Sequence, residues 1–164
     1  MEKQKLTPQQ AHQKIKHFCA YQERCHSEVK EKLYGYGLRK SEVEQLLSQL
    51  IEEDYLNEVR FAEQFAGGRF RMKKWGRVKI RYELKQRQVS EYCIRKGMKV
   101  IDEDDYLLTL QHLFEQKSRE LKGEKNQFIR KRKLQDYLLQ KGYETDYIRE
   151  LLNKKEEEGG SRKS

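Results

Sequence analysis

The chain has 164 residues, of which 35% are apolar and 38% charged, with a mean hydropathy of -1.12 and a net charge of +9. No apolar run approaches the roughly 18 residues that span a bilayer, and so little apolar material ill suits a sphere that buries about two-thirds of its unfolded surface. Three cysteines without framework spacing (Cys19, Cys25, Cys93) fit a reducing compartment, and the opening MEKQKLTPQQ lacks the apolar core of a secretory signal, so a soluble, cytoplasmic chain is expected.

Helix boundaries can be read in order. Only one proline, Pro8, is present, so nothing downstream is barred from helix on that count. Thr7-Pro8 is an N-cap followed by proline at the first helical position, opening a helix with Ala11, Ile15, Phe18 and either Cys25 or Tyr21 on one face. Ser27 is expected to cap the next helix, which stops near Gly35 and Gly37. Ser41 and Glu44 have capping-box spacing before a helix to about Glu53 that carries Val43, Leu46, Leu47 and Leu50. Asn57 caps a third helix ending near Arg71. The pattern then resumes. A helix spans about Arg77 to Arg87, Ser90 caps one to about Ile101, and Asp104 caps one to about Leu121. Gly123 marks a joint before a helix from about Gln127 to Lys141, which Gly142 stops. Thr145 caps the last helix.

That resumption is a repeat. Shifted by 51 positions, Val29 falls on Ile80, Leu33 on Leu84, Val43 on Ile94, Leu47 on Met98, Leu50 on Ile101, Tyr55 on Tyr106 and Leu56 on Leu107. A further shift of 54 brings Leu134, Leu138, Ile148 and Leu152 into the same frame, and Gly37 reappears at Gly142. Repeats of this length are stacked supersecondary units that cannot bury their apolar faces alone. The expected architecture is an all-α, elongated tandem array of three-helix units of about 50 residues with an extra N-terminal helix. The frame is residues 1–26 for that helix, 27–75 and 76–123 for two full units, 124–158 for a truncated third, and 159–164 for a disordered tail.

Charge is strongly segregated. Residues 41–58 hold six acids and no Lys or Arg. Residues 69–87 hold nine bases (Arg69, Arg71, Lys73, Lys74, Arg77, Lys79, Arg81, Lys85, Arg87) against Glu83 alone, and residues 117–133 hold eight bases against two acids. Such density repels itself without a counter-charge and marks a surface for a polyanion or an acidic protein.

Little else in the sequence carries chemistry. His12 and His17 lie off a common helical face, Cys25 and His26 point apart, and no ligand spacing for a metal exists. Gly67-Gly68 and Gly35-Tyr36-Gly37 lack the context of a phosphate-cradling loop. Asp102, Glu103, Asp104 and Asp105 read as helix-capping acids. No nucleophile, base and orienter assemble, so no catalytic activity, cofactor or metal is expected. Phe61 and Phe65, four apart, are core positions. Trp75 fits a joint-packing anchor better than a base-stacking platform, and Arg60 has no evident structural requirement.

The run Tyr55-Leu56-Asn57-Glu58-x-Arg60-Phe61-Ala62, an Arg-rich stretch, and Gly76-x-x-x-Ile80-x-x-Glu83-Leu84 resemble the signature of the RecX family of bacterial recombinase regulators. Glu28-x-x-x-Lys32-Leu33, Gly37 and the helix carrying Val43 and Leu50 fit that family's first repeat. The likeness covers about Phe18 to Leu152. Two departures stand out: Gly76-Arg77 replaces the family's frequent Gly-Pro, and Arg87-Gln88 replaces a usual Lys-Gly. The Gly67-Gly68 pair inside a helix is also unusual.

The resemblance implies a non-catalytic, tandem three-helix protein that binds the groove of the RecA–DNA filament and inhibits ATP hydrolysis, strand exchange and co-protease activity. A monomer is expected. The contact residues expected are Arg60, Arg69, Arg71, Lys73, Lys74, Arg77, Lys79 and Arg81, with Arg130, Lys131, Arg132 and Lys133 as a second run. The alternative is a helical module that binds single- or double-stranded DNA, or RNA, directly. No helix carries an evident set of Asn, Gln and Arg for reading bases.

Overall fold

The computed structural model describes residues 5–161, and helices are the only repeating secondary structure among them. In chain order these are α1 (Pro8–Tyr21), α2 (His26–Gly35), α3 (Lys40–Glu52), α4 (Glu58–Lys73), α5 (Arg77–Gln86), α6 (Glu91–Met98), α7 (Glu103–Glu120), α8 (Gln127–Lys141) and α9 (Thr145–Ser161), with a 3-10 turn at Leu121–Gly123 between α7 and α8.

Several starts follow the sequence closely. The Thr7 hydroxyl accepts from Gln10 N–H while the Gln10 side chain accepts from Thr7 N–H, closing a capping box on α1. Asn57 Oδ1 accepts from Arg60 N–H at 3.0 Å, Ser90 Oγ from Cys93 N–H at 3.2 Å, and Asn126 Oδ1 from the first turn of α8. Other starts are displaced. Cys25 rather than Ser27 precedes α2, and the Ser27 hydroxyl donates instead to the Arg87 carbonyl at 2.7 Å. Helix α3 begins at Lys40, where the Glu42 carboxylate accepts from Arg39 N–H, so Ser41 lies inside the helix. Asp102 caps α7, two residues before the expected Asp104, and Thr145 is the first residue of α9 rather than its cap. Helix α9 continues through Ser161 and so takes in the start of the expected tail; residues 162–164 lie outside the described residues.

The repeat is written into the turns that end α2, α5 and α8. Gly37 has φ +86°, Gln88 +62° and Gly142 +98°, at spacings of 51 and 54 residues. A left-handed residue just past a helix lets the next N–H groups turn back onto the last carbonyls. Glycine does this without strain, whereas a side chain there costs about 1–2 kcal/mol. This chain fills the middle one of the three positions with Gln88, whose side chain puts that turn under strain.

The repeat equivalences break at one point. Helix α6 ends at Met98, three residues short of the expected Ile101, and α7 therefore starts 45 residues after α4. Buried Leu56 and Ile101 stand just ahead of the caps of α4 and α7, and buried Phe61 and Tyr106 one turn inside, which are the positions of a hydrophobic staple. Tyr106 thus corresponds to Phe61 and not to Tyr55. The pairing of Tyr55-Leu56 with Tyr106-Leu107 is corrected: Tyr55 is 36% and Leu107 42% exposed. In α1, half-buried Leu6 and buried Ala11 occupy the same two positions.

The described residues fall into two units. The first takes the chain up to Ala66 together with Glu83–Val100, and the second takes Gly67–Tyr82 and the chain from Ile101. In the first, α1, α2 and α3 close around Ala11, Ile15, Cys19, Val29, Leu33, Val43, Leu46 and Leu50. Phe18 is partly buried against this cluster, whereas Tyr21 faces solvent. Phe61 and Phe65 are both buried, with ring centroids 5.7 Å apart. Gly97 of α6 lies so near α4 that a Cβ there would stand 2.6 Å from Ala62 Cβ.

In the second unit, helix ends meet. The N–H groups of Gly76 and Val78, at the start of α5, donate to the carbonyls of Lys141 and Gly142 at 2.8 and 2.9 Å, at the end of α8. Each helix end thus satisfies backbone groups the other leaves open. The approach requires glycine on both sides: a Cβ on Gly76 would lie 2.3 Å from Gly142 O, and one on Gly142 2.2 Å from Lys79 Cβ. Beside this crossing Tyr106 is fully buried, its ring 5.8 Å from Phe70 and 5.2 Å from Tyr143. Its hydroxyl accepts from Arg77 N–H at 3.0 Å and donates to Glu144 Oε1. Burial, reinforced by the bond to Glu144, holds this phenol far above its ordinary range. Proline at position 77 would suit the first turn of α5 but would remove the N–H that Tyr106 receives.

Two outcomes follow for this fold. Gln88→Gly should raise stability in urea by about 0.5–1 kcal/mol, the relief of left-handed strain less the entropy of glycine. Gly142→Ala should lose more than about 2 kcal/mol, because strain and the Lys79 overlap add, and more than Gly37→Ala, which meets only the Lys5 side chain and nearby Cα. Separately, burial pushes the Cys19 thiol up to about 11 and also raises Cys25, whereas Cys93 is half-buried. Thiol titration at pH 8 should find Cys93 reacting first, with Cys19 and Cys25 reacting only after denaturation.

Candidate functional site

The fold divides the charges of the two basic runs into those that it pairs internally and those that it does not. Arg60 belongs to the first group. Its guanidinium reaches Glu23 Oε1 at 2.9 Å, Asp54 Oδ1 at 2.8 Å and the Asp54 carbonyl at 2.9 Å, tying the start of α4 to the turns before α2 and α4. This is the structural requirement that the sequence did not disclose. Arg77 stacks 3.9 Å from the centroid of the Tyr106 ring and pairs with Glu103 and, at 3.1 Å, with Glu144.

Within the second run, the segment from Arg130 to Lys133 is largely absorbed as well. Arg130 donates through Nε and Nη2 to the Glu124 carbonyl ahead of its own helix. Lys131 pairs with Glu156 at 2.7 Å and Lys133 with Glu124 at 3.4 Å. Only Arg132 in that run is exposed with no carboxylate partner among the described residues.

Around the α4–α5 joint the balance is reversed. Arg71, Lys73 and Lys74 are exposed, Arg69, Lys79 and Arg81 half-buried. Among the described residues, Arg71, Lys73, Lys74 and Lys79 make no ion pair with a carboxylate. At their centre is the single tryptophan of the chain, half-buried. Lys79 Nζ lies 4.6 Å from the Trp75 ring centroid, Lys73 Nζ 5.3 Å, and the Arg69 guanidinium carbon 5.5 Å. Three cations thus share one aromatic ring, each drawn by its quadrupole.

The backbone fixes this arrangement. Lys74 N–H donates to the Phe70 carbonyl at 2.9 Å and Trp75 N–H to the Arg69 carbonyl at 3.3 Å, a helix-ending motif that requires a left-handed residue between helix and exit. That residue is Lys74, with φ +57°. The Lys74 carbonyl accepts from Tyr143 OH at 2.8 Å and the Lys73 carbonyl from Lys141 Nζ at 3.3 Å. Gly76, next in the chain, carries the crossing with Gly142. The joint is therefore held by α8 and by the turn after it.

The sequence pointed to the charges but not to their division. The signal that could have found the cluster is the spacing Arg69, Lys73, Trp75, Lys79, which alternates cations with one aromatic across a helix end. The signal for the absorbed charges is harder to see, because Glu23, Glu103, Glu144 and Glu156 are distant in sequence from the bases they neutralise.

A model of the second three-helix domain of RecX matches residues 57–98, which hold α4, α5 and α6, and a model of the third three-helix domain matches residues 103–152, which hold α7, α8 and the first turns of α9. The regulatory protein RecX of Thermotoga petrophila is 31% identical over 135 residues, covering 82% of this chain and 77% of that protein. That of Clostridium tetani is 30% identical over 128 residues, and the chain spans 58% of its length. Among solved structures, RecX from Lactobacillus salivarius superposes with a TM-score of 0.80 at 17% identity, over 90% of this chain and 95% of the other, and so shares the fold. Tandem three-helix units, spans matched over more than half of the chain and a relative 31% identical over most of both chains lead to one assignment: the chain belongs to the RecX family.

Proposed function

We propose that the protein binds the filament that RecA forms on DNA and inhibits it, lowering ATP hydrolysis, strand exchange and co-protease activity without catalysing a reaction of its own. It acts as a monomer, and the α4–α5 joint is its principal contact. The observation that carries the contact assignment is the group Arg71, Lys73, Lys74 and Lys79 at the joint, which the fold positions but does not pair with carboxylates among the described residues. The relatives' name, regulatory protein RecX, supports a regulatory role. A repeated helical chain suits a partner that is itself a repeating polymer, since several weak contacts then add through effective concentration. Contacts to more than one protomer would oppose the movements that accompany turnover.

Direct binding to nucleic acid is the second reading, and the same cluster favours it, because uncompensated Lys and Arg serve phosphate equally well. Binding to naked DNA that falls steeply with salt, with no recombinase present, is its signature.

Reversing Arg71, Lys73, Lys74 and Lys79 to Glu should weaken inhibition of RecA by at least about tenfold while leaving helicity intact. Reversing four exposed lysines elsewhere (Lys30, Lys40, Lys99, Lys122) controls for net charge and should change it by less than about threefold. Equal losses from the two sets would remove the joint from the mechanism and leave only overall charge.

A further inference from the structure

Trp75 can do one of two things at a nucleic-acid surface. Its ring can receive a base, or it can organise the cations around it. We infer that Trp75 is a scaffold that gathers Arg69, Lys73 and Lys79 into a clamp for the phosphates of a nucleic-acid backbone, taken without regard to base. Placing that clamp on the DNA of a recombinase filament rests on the function proposed above; the clamp itself does not.

Three observations carry it. First, all three cationic groups lie within 6 Å of one ring centroid, so a base could stack on an occupied face only by displacing charges that the ring holds. Second, Lys74, just past the end of α4, takes a left-handed conformation with φ +57°, which sets the direction in which the chain leaves the helix and enters Trp75. Third, the joint is fixed from behind: Tyr143 OH and Lys141 Nζ hold the carbonyls of Lys74 and Lys73, and Gly76 is pinned to Lys141. The cations are therefore presented from a preorganised turn rather than from a free loop.

Closely spaced positive charges repel one another, and neutralising them on a continuous polyanion releases the counterions condensed on it. An acidic protein segment whose carboxylates are spaced among neutral residues condenses and releases fewer counterions. The three cations are held together on one ring, and a phosphate backbone meets them whatever its base sequence.

Trp75 is also the reporter, being the only tryptophan. Its fluorescence is followed while the full chain, without recombinase, is titrated with a single-stranded oligonucleotide, with inorganic polyphosphate of similar length, and with poly-glutamate, each over a salt series. The oligonucleotide and the polyphosphate should both perturb the signal and weaken with salt along similar slopes, and poly-glutamate should bind at least about tenfold more weakly. By competition with a labelled oligonucleotide, Trp75→Phe should stay within about threefold of the parent and Trp75→Leu should lose about tenfold. Lys73→Gln with Lys79→Gln should match that loss, and supplies the test if the leucine variant does not fold. Binding of the oligonucleotide but not of polyphosphate would make Trp75 a base platform and overturn the clamp. Tightest binding to poly-glutamate would assign the surface to an acidic protein, and no binding to any probe would leave no clamp at all. None of these readings involves recombinase inhibition, so each outcome is separate from the fate of the filament proposal.

Discussion

The second unit depends on the meeting of two helix ends. Gly76 and Val78 at the start of α5 donate to the last carbonyls of α8, and the approach is possible only because Gly76 and Gly142 both lack a side chain. Four backbone groups that would otherwise need water or a cap satisfy one another. Everything near the joint inherits its position from this crossing. Tyr143 follows Gly142 and reaches back to Lys74, Lys141 reaches Lys73, and Glu144 takes the Tyr106 hydroxyl and Arg77. The basic cluster around Trp75 is thus the surface expression of a buried geometric constraint.

The same constraint explains how the protein handles charge. The positive charge is not all left to solvent. Arg60 and Arg77 brace turns, each against two acids, and Arg130, Lys131 and Lys133 secure α8 and its approach. What remains around the α4–α5 joint is positive charge with an aromatic at its centre. An arginine that stacks on a buried tyrosine and pairs with two carboxylates is an architectural element; a lysine resting on a half-exposed indole is available to a partner.

Much of this was legible in the sequence. The apolar period of 51 and 54 residues located α2, α5 and α8 and their partners, Gly37 and Gly142 marked two of the left-handed turns, and Thr7, Asn57 and Ser90 marked their helix starts. Other features were not legible, for physical reasons. The early end of α6 shifts the register, which hid the correspondence of Tyr106 with Phe61 and made Tyr55 look like its partner. The division of the basic residues depends on acids brought near by folding, which no local pattern reveals; the left-handed Gln88 was hidden because its side chain gives no sign of the conformation that the backbone imposes.

The proposed function has the protein act on the filament rather than on DNA that the filament needs. The most direct measurement is the DNA-dependent ATPase of RecA, titrated with this protein well below one molecule per recombinase, at fixed and then at excess DNA. A filament-directed inhibitor should act at such ratios, because one bound molecule affects many protomers, and inhibition should persist when DNA is added in excess. Inhibition that begins only when the protein saturates the DNA, and disappears when more DNA is supplied, would contradict the claim and leave a nucleic-acid-binding module in its place.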